Sequence, residues 1–194
     1  NGADYIRFRN ISFKPNYYAG VKFEDGANGI QFENCHFEFS NYYYYVNSYG
    51  IYSGADRDDS LLVRQCRFER GTYGIFLYGY SNNGYDRNIR VEKCLFNNQY
   101  NTGIYINYAD APQIISNEIN NHVYSGIYLQ QTINSSIVSH NKVTSTNNVT
   151  SGIHIYNNSG TGLKKGSVFN NFVAVNGSYG LYFYSNDLDR KSVV

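Results

Sequence analysis

A glycine followed by an aliphatic residue recurs seven times, at Gly20, Gly50, Gly74, Gly103, Gly126, Gly152 and Gly180, at intervals of 30, 24, 29, 23, 26 and 28 residues. A fixed element at a loosely variable period narrows the possible folds more than any composition does. A unit this short cannot bury its own apolar face, so successive units must stack and cover one another. The expectation is a solenoid.

The residues before each glycine set the shape of one unit. They read I-x-F-x-x-I-x-F at Ile6 to Phe13, I-x-F-x-x-C-x-F at Ile30 to Phe37, L-x-V-x-x-C-x-F at Leu61 to Phe68 and I-x-V-x-x-C-x-F at Ile89 to Phe96. Later units keep the frame with Asn at the Cys position, at Asn117, Asn141 and Asn171. Apolar alternation broken by one extra residue means two short strands meeting at a tight corner. The corner column is Ile11, Cys35, Cys66, Cys94, Asn117, Asn141 and Asn171. After each glycine the alternation resumes, with Gly+1 and Gly+3 apolar in nearly every unit and therefore expected to point inward. Each unit thus holds three short strands, and helical periodicity is absent.

At 194 residues and a net charge of +1, the chain supports one domain and has no field that would draw it to nucleic acid or to an acidic membrane surface. No apolar run reaches the roughly 18 residues of a membrane helix, so membrane insertion is not expected. The sequence contains no Met and opens without the basic-then-apolar order of a signal peptide. It reads as an internal segment, residues 1–194, of a longer protein. Both solenoid ends are expected to be uncapped and covered by flanking coils, a neighbouring domain or another protomer. The three cysteines show no metal-binding spacing; stacked in one column, they are expected to be free, buried thiols.

This organisation resembles the right-handed parallel β-helix of the pectate lyase-like superfamily, over essentially the whole chain. The resemblance implies an all-β solenoid of about seven coils of three short strands. It also implies an inward asparagine ladder at Asn117, Asn141 and Asn171, and a groove on the sheet of Gly-led strands. It leaves function open, because the fold hosts lyases, hydrolases, epimerases, phage tailspikes and adhesins.

The outward residues of that sheet are therefore the ones to inspect. Gly+2 reads Lys22, Tyr52, Phe76, Tyr105, Tyr128, His154 and Tyr182; Gly+4 reads Glu24, Gly54, Tyr78, Asn107, Gln130, Tyr156 and Tyr184. At 18% aromatic content about one aromatic is expected in seven positions, yet Gly+2 holds five. A stripe about 24 Å long follows, at about 4.8 Å per coil. Tyr52, Phe76, Tyr78, Tyr105, Tyr128, Tyr156, Tyr182 and Tyr184 are the candidate glycan-binding residues, since flat faces with hydroxyl handles suit sugar rings. Strand propensity and mutual stacking would favour the same residues without any ligand. The Tyr42 to Tyr45 run reads as a loop walling this groove.

Catalytic signals are sparse. Glycosidases need paired carboxylates, and the outward columns contain only Glu24. His154, flanked by Tyr128, Tyr156 and Tyr182, is the one general acid/base candidate, with Lys164 and Lys165 in the following turn as possible partners for a uronate carboxylate. Asp56, Asp58 and Asp86, with Asp110 one coil on, occupy stacked turns. They are the candidate metal ligands should calcium bind, although a solvated turn is the simpler reading of them; no cofactor is otherwise implied. The reading is a β-helix segment of a secreted or cell-surface protein that contacts polysaccharide or glycan through the stripe, in an adhesive, structural or carbohydrate-binding role. The alternative is part of a polysaccharide lyase or glycoside hydrolase.

Overall fold

The computed structural model describes residues 4–39, 47–54, 56–79, 84–159 and 165–184. All regular structure among them is β, arranged in parallel ladders. One sheet stacks the first strand of every unit, from Arg7–Arg9 through Gln31–Glu33, Leu62–Arg64, Arg90–Glu92, Gln113–Ile115 and Ile137–Ser139 to Ser167–Phe169. A second ladder joins Ser12–Phe13, His36–Glu38, Arg67–Glu69, Leu95–Asn97 and Glu118–Asn120. A third joins the Gly-led strands Ala19–Phe23, Tyr49–Ser53, Tyr73–Tyr78, Thr102–Asn107 and Ser125–Gln130. In the last two units the second and third strands run together as Lys142–Tyr156 and Phe172–Tyr184, which closes these two ladders into one sheet. Seven strand sets make about six full turns, close to the seven coils expected from the repeat.

The core is a set of columns. Phe13, Phe37, Phe68 and Phe96 stack ring on ring at 4.7, 4.7 and 4.6 Å, close to parallel; Ile119 and Val143 continue the column, fully buried. Gly+1 residues Ile51, Ile75, Ile104, Ile127 and Ile153 are also fully buried. The recurring glycine is not needed for backbone conformation, since none of the seven has a positive φ. It is needed for close approach. A Cβ on Gly74 would lie 2.5 Å from Phe96 Cδ1 and 2.7 Å from the Gly103 carbonyl oxygen of the next coil.

Each corner between first and second strand turns on one left-handed residue: Asn10, Asn34, Gln65, Lys93, Ser116, His140 and Asn170, with φ between 51° and 57°. The next residue points in and ties the coils together. Asn117 and Asn141 each accept the backbone N–H of the equivalent residue one coil earlier, at 3.0 and 2.9 Å, and each donates its amide to a core carbonyl, Val91 and Ile114. The thiols of Cys66 and Cys94 do the same work, accepting from the N–H of Cys35 and Cys66 at 3.4 Å and contacting the carbonyls of Phe32 and Val63. All three cysteines are free and buried, and burial pushes the Cys94 thiol well above its ordinary value. Cysteine and asparagine are therefore two versions of one ladder rung. Cys94→Asn is expected to leave stability within about 1 kcal/mol of the parent. Cys94→Val, which orphans the Cys66 N–H, is expected to cost about 1–3 kcal/mol in chemical denaturation.

Candidate functional site

The Gly-led sheet carries the aromatic stripe in an unbroken register: Lys22, Tyr52, Phe76, Tyr105, Tyr128, His154 and Tyr182 pair successively from coil to coil. The Gly+4 column runs beside it, with Tyr78 and Tyr184 exposed and Asn107 buried against expectation. A further aromatic set is present that counting forward from glycine misses. Tyr18, Tyr49, Tyr73, Tyr124 and Tyr179 lie at Gly−1 or Gly−2, and each packs on the Gly+2 column: Tyr49 touches Tyr52 and Phe76, Tyr73 touches Phe76, Tyr124 touches Tyr128 and Tyr179 touches Tyr182. Counting backward from the glycine finds it, since five of the seven units carry Tyr there. The result is an aromatic face three columns wide.

How the rings are turned decides what this face offers. Tyr52 and Phe76 are parallel within 8°, Phe76 and Tyr105 within 10° at 4.6 Å, and Tyr128 and His154 within 4° at 4.3 Å. Ring faces in the central column are thus consumed by stacking along the solenoid axis, which leaves edges and hydroxyls toward solvent. The parallel run is interrupted twice, where Tyr105 and Tyr128 meet edge to face at 88° and where Tyr182 tilts 47° from His154. Open ring surface lies at the flanks, on Tyr18, Tyr78, Tyr124, Tyr179 and Tyr184, which are 38–53% exposed. Burial pushes the phenols of Tyr49 and Tyr128 up to about 12 and raises Tyr52, Tyr73 and Tyr105 as well. All remain neutral hydrogen-bond donors at physiological pH; Tyr105 donates to Gln130 at 3.0 Å.

His154 sits within this face rather than above it. It is 5% exposed, stacked on Tyr128, tilted 4.6 Å from Tyr182 and edge-on to Tyr156. Burial lowers its affinity for a proton, so the ring is neutral, and neither ring nitrogen has a hydrogen-bond partner. The three tyrosines expected around His154 are therefore all in ring contact with it. Lys165 lies in the following turn; Lys164 and the Tyr42 to Tyr45 run fall outside the described residues. Glu24, the carboxylate of the outward columns, is ion-paired with Lys22.

The acidic turns stack as expected, and their carboxylates face backbone. Asp58 accepts the Ala27 N–H at 2.7 Å and the Ser53 hydroxyl, Asp86 accepts the Asp58 N–H at 2.9 Å, and Asp56 accepts the Asp25 N–H at 3.1 Å. Asp58 and Asp86 are 3% and 1% exposed. Two successive coils of this wall form the short parallel pair Asp86–Arg87 and Ala109–Asp110, an element not anticipated from the sequence. Burial pushes the Asp86 carboxyl up to about 8, reinforced by the neighbouring Asp58 and Asp59 carboxylates and opposed by the Asp58 N–H and Arg57. Its Oδ2 is buried without a partner. Among the described residues no group of three or more His, Cys, Asp or Glu is placed to hold a metal ion.

Comparison with known proteins agrees with this architecture. The chain superposes with a TM-score of 0.57 on the Streptococcus pneumoniae surface protein and adhesin PfbA, at 12% identity, over 93% of this chain and 67% of that one. At that identity the likeness concerns the fold. A search of curated proteins gives no match. The family model described as "Right handed beta helix region" matches residues 1–189. With the stacked parallel ladders and the polar corner ladder, that match makes this chain a member of the right-handed β-helix family.

Proposed function

We propose that this chain is the adhesive segment of a secreted or cell-surface protein, and that it holds a glycan against its aromatic face without cleaving it. The observation carrying this reading is the three-column face itself: a contiguous, partly apolar surface edged with neutral phenols, of the kind that marks an interaction site. Sugar hydroxyls would meet the rim of tyrosine hydroxyls, and sugar C–H faces would meet the flanking rings of Tyr78, Tyr124 and Tyr184. The resemblance in fold to a surface adhesin supports the same assignment. Among the described residues the face offers no second carboxylate beside Glu24 for a paired acid and base.

A second reading is favoured by one observation. The neutral His154 ring, with both nitrogens unpaired, has the protonation state of a general base, which would suit elimination from a uronic acid in a partial catalytic domain. A glycan array followed by an assay for unsaturated chain ends separates the two. On the adhesive reading, the triple variant Tyr78→Ala, Tyr124→Ala, Tyr184→Ala loses at least tenfold in affinity for the captured glycan and keeps the parent melting temperature within a few degrees, because the three rings are exposed. Turnover that vanishes in His154→Ala would transfer the assignment to the lyase.

A further inference from the structure

The sheet of first strands carries a second charged feature, on a different sheet from the aromatic face. Its outer column runs Arg9, Glu33, Arg64 and Glu92 from coil to coil. Alternation of this kind would be neutral by itself. The adjoining column adds Arg7 and Arg90, so four guanidiniums face two carboxylates, and Lys93 follows in the turn, on a chain whose total charge is only +1.

Glu33 organises the group. It is 3% exposed and ion-paired with Arg7 at 3.3 Å, with Arg9 at 3.4 Å and with Arg64. One buried carboxylate thus anchors three guanidiniums and neutralises one of them. Arg90 is bound to Glu92 at 2.7 Å, so that carboxylate is already engaged. Beside Glu33 lies an open notch of about 440 Å³ lined by Arg9, Asn10, Glu33, Asn34, Arg64 and Gln65. Arg9, Asn34 and Gln65 are exposed there, and the Arg64 Nε–H is buried without an acceptor.

We infer that this notch is a binding site for a tetrahedral oxyanion, a sulfate or phosphate group, either free or borne as an ester on a larger molecule. Arg9 and Arg64 reach it from coils on either side of Glu33, about 10 Å apart along the axis at about 4.8 Å per coil. A tetrahedral ion has oxygens to offer in several directions and so accepts from both guanidiniums and from the amides between them, whereas a planar carboxylate fills one fork. The buried Glu33 fixes the arginines in advance, which lowers the ordering cost of binding. The site stands whether or not the aromatic face binds glycan.

Affinity electrophoresis in sulfated dextran, with unmodified dextran as reference and with inorganic sulfate, inorganic phosphate or acetate as competitors, tests the site. The parent should be retarded by sulfated dextran alone, with the bound protein released by sulfate or phosphate and not by acetate at equal ionic strength. Arg7→Gln with Arg9→Gln, both exposed, should weaken retention at least tenfold. Arg67→Gln with Lys142→Gln, which removes the same charge from the neighbouring sheet, should change it less than twofold. Equal losses in the two pairs would mean diffuse charge attraction and overturn the site, as would equal retardation in both dextrans or release by acetate. Thermal melts that match the parent confirm that the variants compared are folded.

Discussion

Gly74→Ala is expected to destabilise this protein by about 3 kcal/mol or more, whereas Gly180→Ala should cost less than about 1 kcal/mol. The two substitutions look identical on paper, since each adds one methyl at the same position of the repeat. At Gly74 the new Cβ falls 2.5 Å from Phe96 Cδ1 and 2.7 Å from the Gly103 carbonyl oxygen, a ring locked in a stacked column and a backbone atom held in a ladder. Neither can move without shifting a coil. At Gly180 the nearest atom among the described residues is Val173 Cγ1 at 3.8 Å, an ordinary contact. Melting curves of the two variants check the claim that the glycine recurs for close approach between coils. Comparable losses would instead point to local backbone preference, which both positions share.

The second large effect concerns pH. In the unfolded chain Asp86 ionises near its ordinary value of 3.8, and in the fold its carboxyl is pushed up to about 8. Between those values folding takes up a proton. The stability associated with the neutral acid is fully present below about pH 4 and is lost as pH rises toward 8. Asp86→Asn keeps the Oδ1 acceptor for the Asp58 N–H, in the way Asn158 Oδ1 serves the Thr132 N–H in another turn, and removes the titration. The variant should match the parent near pH 4 and exceed it at pH 8 by on the order of 5 kcal/mol, for a shift of about four pKa units at about 1.4 kcal/mol each. Denaturant midpoints measured at the two pH values read this directly. Parallel curves for parent and variant would show that Asp86 does not titrate in this range.

The part of the structure legible in the sequence is the part fixed by period. Glycine spacing sets the coil, alternation after it sets which side chains enter the core, and the Ile/Cys/Asn column marks the corner, because in each case one residue type answers one local constraint repeated along the axis. The corner ladder shows how direct that reading is: Cys94 and Asn117 differ in chemistry yet fill the same rung. Features that depend on turns of unequal length were not legible. The burial of Asn107, and the short pair Asp86–Arg87 with Ala109–Asp110, fall beside turns whose length changes from unit to unit, so no fixed offset from the glycine points to them. The aromatic stripe was legible as a column and illegible as a surface. Register places Tyr52, Phe76 and Tyr105 in line, but only their mutual stacking shows that the ring faces turn toward one another and that Tyr78, Tyr124 and Tyr184 at the flanks hold the open surface. His154 was likewise placed correctly in its column, and its enclosure between Tyr128 and Tyr182 follows from their ring contacts rather than from its position in the repeat.

The most direct measurement of the central claim is the fate of a glycan captured by the protein, recovered after prolonged incubation and weighed by mass spectrometry, alongside its retention by the Tyr78, Tyr124, Tyr184 triple variant. The adhesive account predicts an intact glycan from the parent and at least a tenfold weaker hold by the variant. A glycan returned in shortened, unsaturated pieces, or one held equally well by the variant, would contradict it.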